Sequence, residues 1–177
     1  GLAKRTLYNH FESKERLFDT TVAVLCEEGL AFLFARYDEA DLLPRPENIR
    51  AAVRAFFDYS AAHPDGRALL LSTRTPTPGA ARMIQETKDK LTARIAQSFR
   101  QRRGPKGDPV SRVAAVMAAM TVGAADYVAR EVSRSDDWDM DAVVMLVAEV
   151  WAQGISHVSL DLLARADTPT KTRARRS

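Results

Sequence analysis

Cysteine is nearly missing from this sequence: Cys26 stands alone among 177 residues, so no internal disulfide can form. Its neighbours Val22, Val24 and Leu25 are apolar, the setting in which a free thiol packs as a small hydrophobe. The three histidines, His10, His63 and His157, fall in separate segments with no carboxylate or thiol at ligand spacing, so neither a metal site nor a cofactor is expected. No apolar run reads as the roughly 20 residues of a membrane-spanning helix, and no basic-then-apolar leader opens the chain. A cytoplasmic protein without a membrane partner is the expectation. Also lacking are a glycine-rich phosphate loop, a Glu-x-x-His pair and a nucleophile elbow, and the acids are scattered off the apolar stripes. No catalytic site is expected, because no reactive groups converge.

Strand signals are almost absent too, since no β-branched or aromatic run alternates with polar residues between turns. What the chain does have is 46% hydrophobic and 28% charged residues, the balance of a globular domain. Its formal charge of +3 is unevenly spread. Four of the 26 basic residues, Lys171, Arg173, Arg175 and Arg176, lie in a terminal stretch without acids, leaving 22 basic against 23 acidic residues before it. Residues 167–177 are read as a basic disordered tail, because they offer almost nothing to bury against the entropy of ordering.

Helical periodicity fills every long segment. Ser13 can cap a helix on which Phe18, Val22, Leu25, Gly29 and Phe32 repeat every three or four residues to about Arg36. Prolines between Asp41 and Pro46 break the pattern, and Ile49, Val53, Phe56, Phe57 and Ser60 begin the next stripe, which should end near His63 because Pro64 follows. Residues 67–73 fit one or two further turns. Thr77 can cap a helix carrying Ile84, Thr87, Leu91, Ile95, Ser98 and Phe99, closed by Arg100, Arg102 and Arg103 and then Gly104-Pro105. Val110, Val113, Ala114, Met117, Met120, Thr121, Ala124, Tyr127 and Val128 mark another stripe. The last, after a polar interval ending at Asp139, runs through Val143, Val147, Val150, Trp151, Gly154, Val158 and Leu162. Short loops between these segments predict an all-α bundle of antiparallel neighbours.

The opening stretch GLAKRTLYNHFESKERLF differs in kind. Lys4, Arg5, Thr6, Tyr8, Asn9, His10 and Lys14 concentrate donors that can meet phosphate oxygens, while Leu7, Phe11, Leu17 and Phe18 supply apolar anchors. On physics alone this is either an exposed amphipathic start or a nucleic-acid contact.

The same eighteen residues resemble the second half of the helix-turn-helix signature of the TetR family of transcriptional regulators. The turn glycine, Thr6-Leu7-Tyr8, His10-Phe11, Ser13-Lys14-Glu15 and the following leucine all stand at that family's spacing. The resemblance implies that Lys4, Arg5 and Thr6 reach base edges in the major groove of double-stranded DNA. It implies that Tyr8 and His10 donate to phosphates, with Lys14 gripping another beside a helix N-terminus. Ala3 stands where the family often has Ser or Thr, which removes a cap worth about 1 kcal/mol. The chain opens at the turn glycine, so the first two helices of the module are expected upstream, and DNA binding is expected to need them.

The resemblance divides the chain into 1–36, the back of the DNA-binding module with a connecting helix, and 37–166, a helical ligand-binding and dimerisation domain. It implies a homodimer joined through the last two helices. Val143, Val147, Val150, Trp151, Gly154 and Val158 are the expected interface, with Gly154 allowing a close helix approach and Trp151 an anchor. An effector pocket is expected among the middle helices, lined by Phe56, Phe57, Met83, Phe99, Met117, Met120 and Tyr127, and suited to a small apolar or aromatic molecule. The implied function is that of a TetR-like repressor, binding palindromic operator DNA as a homodimer and released by a small-molecule effector. The alternative is a helical protein-interaction or small-molecule-binding module without DNA binding.

Overall fold

The computed structural model describes residues 13–44, 46–64, 66, 77–101, 111–135, 137–159 and 166. Among them the chain is entirely helical, with α1 at Lys14–Asp41, α2 at Glu47–Ala62, α3 at Pro78–Gln101, α4 at Ser111–Val132 and α5 at Met140–His157. The recognition-helix stretch, the turns expected at 67–73, Val110, Leu162 and the basic tail lie outside the described residues.

Three of the described helix starts carry a side-chain cap. Ser13 Oγ accepts from the Arg16 amide at 3.1 Å, and Glu15 adds an acid to the first turn. Thr77 Oγ1 accepts from the Ala80 amide at 3.1 Å, and Asp139 Oδ1 from the Ala142 amide at 3.1 Å. Pro46 precedes α2 without a side-chain cap, and His63 ends it at φ −126° and ψ 65°, outside the α region as a residue before proline must be.

Helix α1 runs five residues further than its apolar stripe alone predicts. Leu33, Tyr37 and Ala40 continue its buried face past Arg36, so the expected division at residue 36 falls inside an unbroken helix. Helix α1 packs against both α2 and α3, while α3 packs on α4 and α2 on α5. Four apolar clusters hold the arrangement. One joins Val22 and Cys26 to Ala80 and Ile84, and a second joins Leu33 and Tyr37 to Ala55, Tyr59, Leu91 and Val122. Ile49, Val53 and Phe57 meet Ala129, Val144, Val147 and Ala148 in the third, and Ala96 meets Ala114 and Ala118 in the fourth. Charged pairs tie the same interfaces: Lys88 Nζ lies 2.6 Å from Asp126 Oδ2 between α3 and α4, and Arg54 pairs with Asp141 between α2 and α5.

Helix α4 turns a different face inward from the one its large residues mark. Val113, Ala114, Ala118, Val122, Ala125 and Ala129 are buried, whereas Met120 is 65% and Tyr127 76% exposed. The alanines let α3 approach closely, which brings more atoms into van der Waals contact than large side chains at wider spacing. Against the expectation that no run is that long, the Val113–Val132 stretch is long and apolar enough by length and composition to cross a membrane. Asp126 within it is paired to Lys88, and its inward alanines pack with Ala96 of α3, while about a third of the stretch is buried.

Candidate ligand-binding site

All five helices converge on a cavity of about 100 Å³. Helix α1 contributes Tyr37, Ala40 and Asp41 from its last turns, and α2 contributes Asn48, Ile49, Ala52, Val53, Phe56 and Phe57. Leu91, Ile95, Ser98 and Phe99 come from α3, Thr121, Val122 and Ala125 from α4, and Trp151 from α5. Most of this lining is aliphatic or aromatic, with a few polar groups, the composition of a site for a small organic molecule.

Those polar groups gather where α1 ends. Arg94, a largely buried guanidinium on α3, sends Nη2 to Asp38 Oδ1 at 2.6 Å and to Asp41 Oδ2 at 2.8 Å, and Nη1 to Ser98 Oγ at 2.5 Å. Ser98 Oγ in turn donates to Asp41 Oδ2 at 3.1 Å. Burial of Arg94 by itself would lower its proton affinity, but its hydrogen bonds to Asp38 and Asp41 outweigh that and leave it raised. Asn48 Nδ2 donates to the Ala40 carbonyl at 2.5 Å and to Asp41 Oδ1 at 3.3 Å, closing the turn between α1 and α2. Tyr37 is 8% exposed, and burial pushes its phenol well above the ordinary tyrosine range, so it remains a hydrogen-bond donor. Thr121 is occupied within its own helix, donating to the Met117 carbonyl at 2.9 Å.

Of the residues expected to line a pocket, the cavity takes in Phe56, Phe57 and Phe99. Met83 packs instead with Val22, Cys26, Ala80 and Ile84 between α1 and α3, and Met117 is half-buried outside the lining. Met120 and Tyr127 lie on the outer face of α4, because the alanines occupy the inner one. Tyr37, Asp41, Asn48, Ser98 and Trp151 complete the site. Tyr37 carried a signal in the sequence, four residues beyond Leu33 on the same helical face. Asn48 and Asp41 carried none, since each looks like an ordinary loop residue beside proline.

The residues expected at a dimer interface divide likewise. Val143 and Trp151 pack against the core formed with α2, Val147 is buried in it, and Val158 is half-buried at the end of α5. Val150 and Gly154 face outward, and a side chain built on Gly154 would meet nothing within 4 Å. Met145 and Leu146 lie on the same outer side of α5 as Val150, and Val116, Met120 and Tyr127 form a matching exposed apolar stripe along α4. Of the residues expected at DNA, Lys14 is exposed at the first position of α1, while Lys4, Arg5, Thr6, Tyr8, Asn9 and His10 lie outside the described residues.

These residues form an all-helical bundle with a cavity at its centre and apolar outer faces on its two last helices. Residues 44–148, more than half of the chain, match the family model described as "Tetracyclin repressor-like, C-terminal domain". The chain belongs to the TetR family of regulators. No curated protein matches the sequence.

Proposed function

We propose that this protein is a one-component repressor that binds palindromic operator DNA as a homodimer in the cytoplasm and is released by a small apolar or aromatic effector held in the five-helix cavity. The observation that carries the reading is that the cavity is walled by the last turns of α1. The same helix begins at Ser13 and Lys14, inside the stretch that resembles a DNA-reading motif. One helix of 28 residues thus runs from the stretch that resembles a DNA-reading motif to the wall of the cavity. An effector that prefers one tilt of α1 shifts the population between dimers whose recognition helices do and do not meet successive major grooves. Dimerisation through the outward stripes of α4 and α5 would fix that spacing.

Fluorescence anisotropy with duplexes from around the gene's own promoter tests this, using protein made from the whole reading frame. Specific binding that weakens steeply with salt is expected, and Lys14→Ala should weaken it across sequences and lower the salt slope by about one. Equal affinity for every duplex, with no change on Lys14→Ala, would overturn the reading.

A further inference from the structure

Two polar groups in the cavity wall are left without partners. Tyr37 is 8% and Asn48 3% exposed, and both line the cavity. Among the described residues the Tyr37 hydroxyl makes no hydrogen bond. The side-chain carbonyl of Asn48 makes none either, because both hydrogen bonds of that amide use Nδ2. Donation from Nδ2 to two acceptors fixes the orientation of the amide, so the atom left over is the acceptor oxygen. Neither atom is sealed from water, since among the described residues only Arg130 Nε is both buried and unpaired, so both open onto space where a bound molecule can supply the partner. The two residues belong to one corner of the cavity. Tyr37 lies one helical turn before Asp41, and Asn48 is bonded to Ala40 and Asp41.

We propose that the effector is an uncharged single-ring aromatic alcohol of the phenol class. Its hydroxyl accepts from Tyr37 Oη and donates to Asn48 Oδ1, while its ring lies among Phe56, Phe57, Phe99 and Trp151. The inference rests on the reading of this cavity as the effector site and adds what the effector must carry.

Three features select that chemistry. A hydroxyl both donates and accepts, which is what one leftover donor and one leftover acceptor require. Apolar cavities of about 150 Å³ take up benzene, so a space of about 100 Å³ is of single-ring order. Among the described residues this corner sets one guanidinium, Arg94, against two carboxylates, Asp38 and Asp41, and that excess of carboxylates disfavours an anionic ring such as benzoate.

Isothermal titration of the full chain with phenol, toluene and benzoate, repeated on Tyr37→Phe, tests the proposal. Phenol should bind roughly tenfold or more tighter than toluene, and benzoate more weakly than phenol. Tyr37→Phe should bring phenol down to the toluene level and leave toluene within twofold. Its melting temperature without ligand should be unchanged or higher, because the hydroxyl it removes has no partner to lose. Toluene binding as tightly as phenol would overturn the polar docking while leaving the cavity as a ring-binding site. Unchanged phenol affinity in Tyr37→Phe, or preference for benzoate, would overturn it as well. Failure of all three compounds to bind would also sink the phenol assignment, and the promoter titration decides separately whether the regulator reading stands.

Discussion

Arg94 on α3 and Asp41 at the last position of α1 are joined at 2.8 Å, and the carboxylate they share with Ser98 and Asn48 is part of the cavity wall. Helix α1, the start of α2 and the middle of α3 are therefore tied at one carboxylate. The wall of the cavity is part of the same knot that holds α1 in place. Removing the guanidinium takes a hydrogen-bonded counter-charge from Asp41, which is three-quarters buried.

Arg94→Ala should accordingly lower the free energy of unfolding by about 1–3 kcal/mol, measured by urea denaturation. Arg94→Lys should recover only part of the loss, because one ammonium cannot span Asp38, Asp41 and Ser98 with the fork of a guanidinium. A variant as stable as the parent would show that the knot carries no weight.

Tyr37 gives the stability a definite alkaline limb. Its folded pKa is raised above the ordinary value of 10.0 by burial. The unfolded chain therefore loses its proton first as pH rises, and stability is steady below about pH 10 and falls above it. In Tyr37→Phe that group no longer titrates, so the decline in melting temperature between about pH 9.5 and 11.5 should be shallower. Parallel curves for the two proteins would contradict the burial of this phenol.

Thr77 and Asp19 join the start of α3 to the first half of α1. Thr77 accepts from the Ala80 amide and donates to Asp19, whose carboxylate also faces the N-terminal end of the α3 dipole. A side chain on Gly79 would collide with Asp19. Thr77→Val keeps the shape and removes the cap, so a loss of about 1–2 kcal/mol is expected in thermal or urea unfolding. Gly79→Ala should be destabilising as well, against the usual gain of a helical alanine, because it displaces Asp19.

Gly154 separates stability from assembly. With open space around it, Gly154→Leu should leave a single protomer as stable as before, or more stable by about 1 kcal/mol through helix propensity. If α5 meets its counterpart there, the same change should raise the dimer dissociation constant at least tenfold in sedimentation velocity. An unchanged sedimentation profile would remove Gly154 from the interface.

Most of the fold was legible because amphipathic periodicity and caps are local signals. Ser13, Thr77 and Pro64 mark boundaries within a residue or two of where helices begin or stop, and the α2 face of Ile49, Val53 and Phe57 is the buried one. The α4 face was not legible. A helix apolar over most of its surface satisfies two stripes of three- and four-residue steps, and the one through Met120 and Tyr127 is as regular as the buried one through Ala118 and Ala125. The polar corner was hidden for a related reason, since Asp41, Asn48 and Arg94 are separated by up to 53 residues and meet only after three helices pack.

Local order along the chain was thus settled by the amino acids themselves: which segments are helical, where most of them end, and the likeness of the first eighteen residues to a DNA-reading motif. Packing decided which side of α4 faces in, that the centre is hollow, and which polar atoms on its wall find partners. Helix formation depends on neighbours within four positions, and those are written in order. A cavity depends on how closely whole helices can approach, which small side chains at Ala96, Ala114 and Ala118 set through contacts that no stretch of sequence contains by itself.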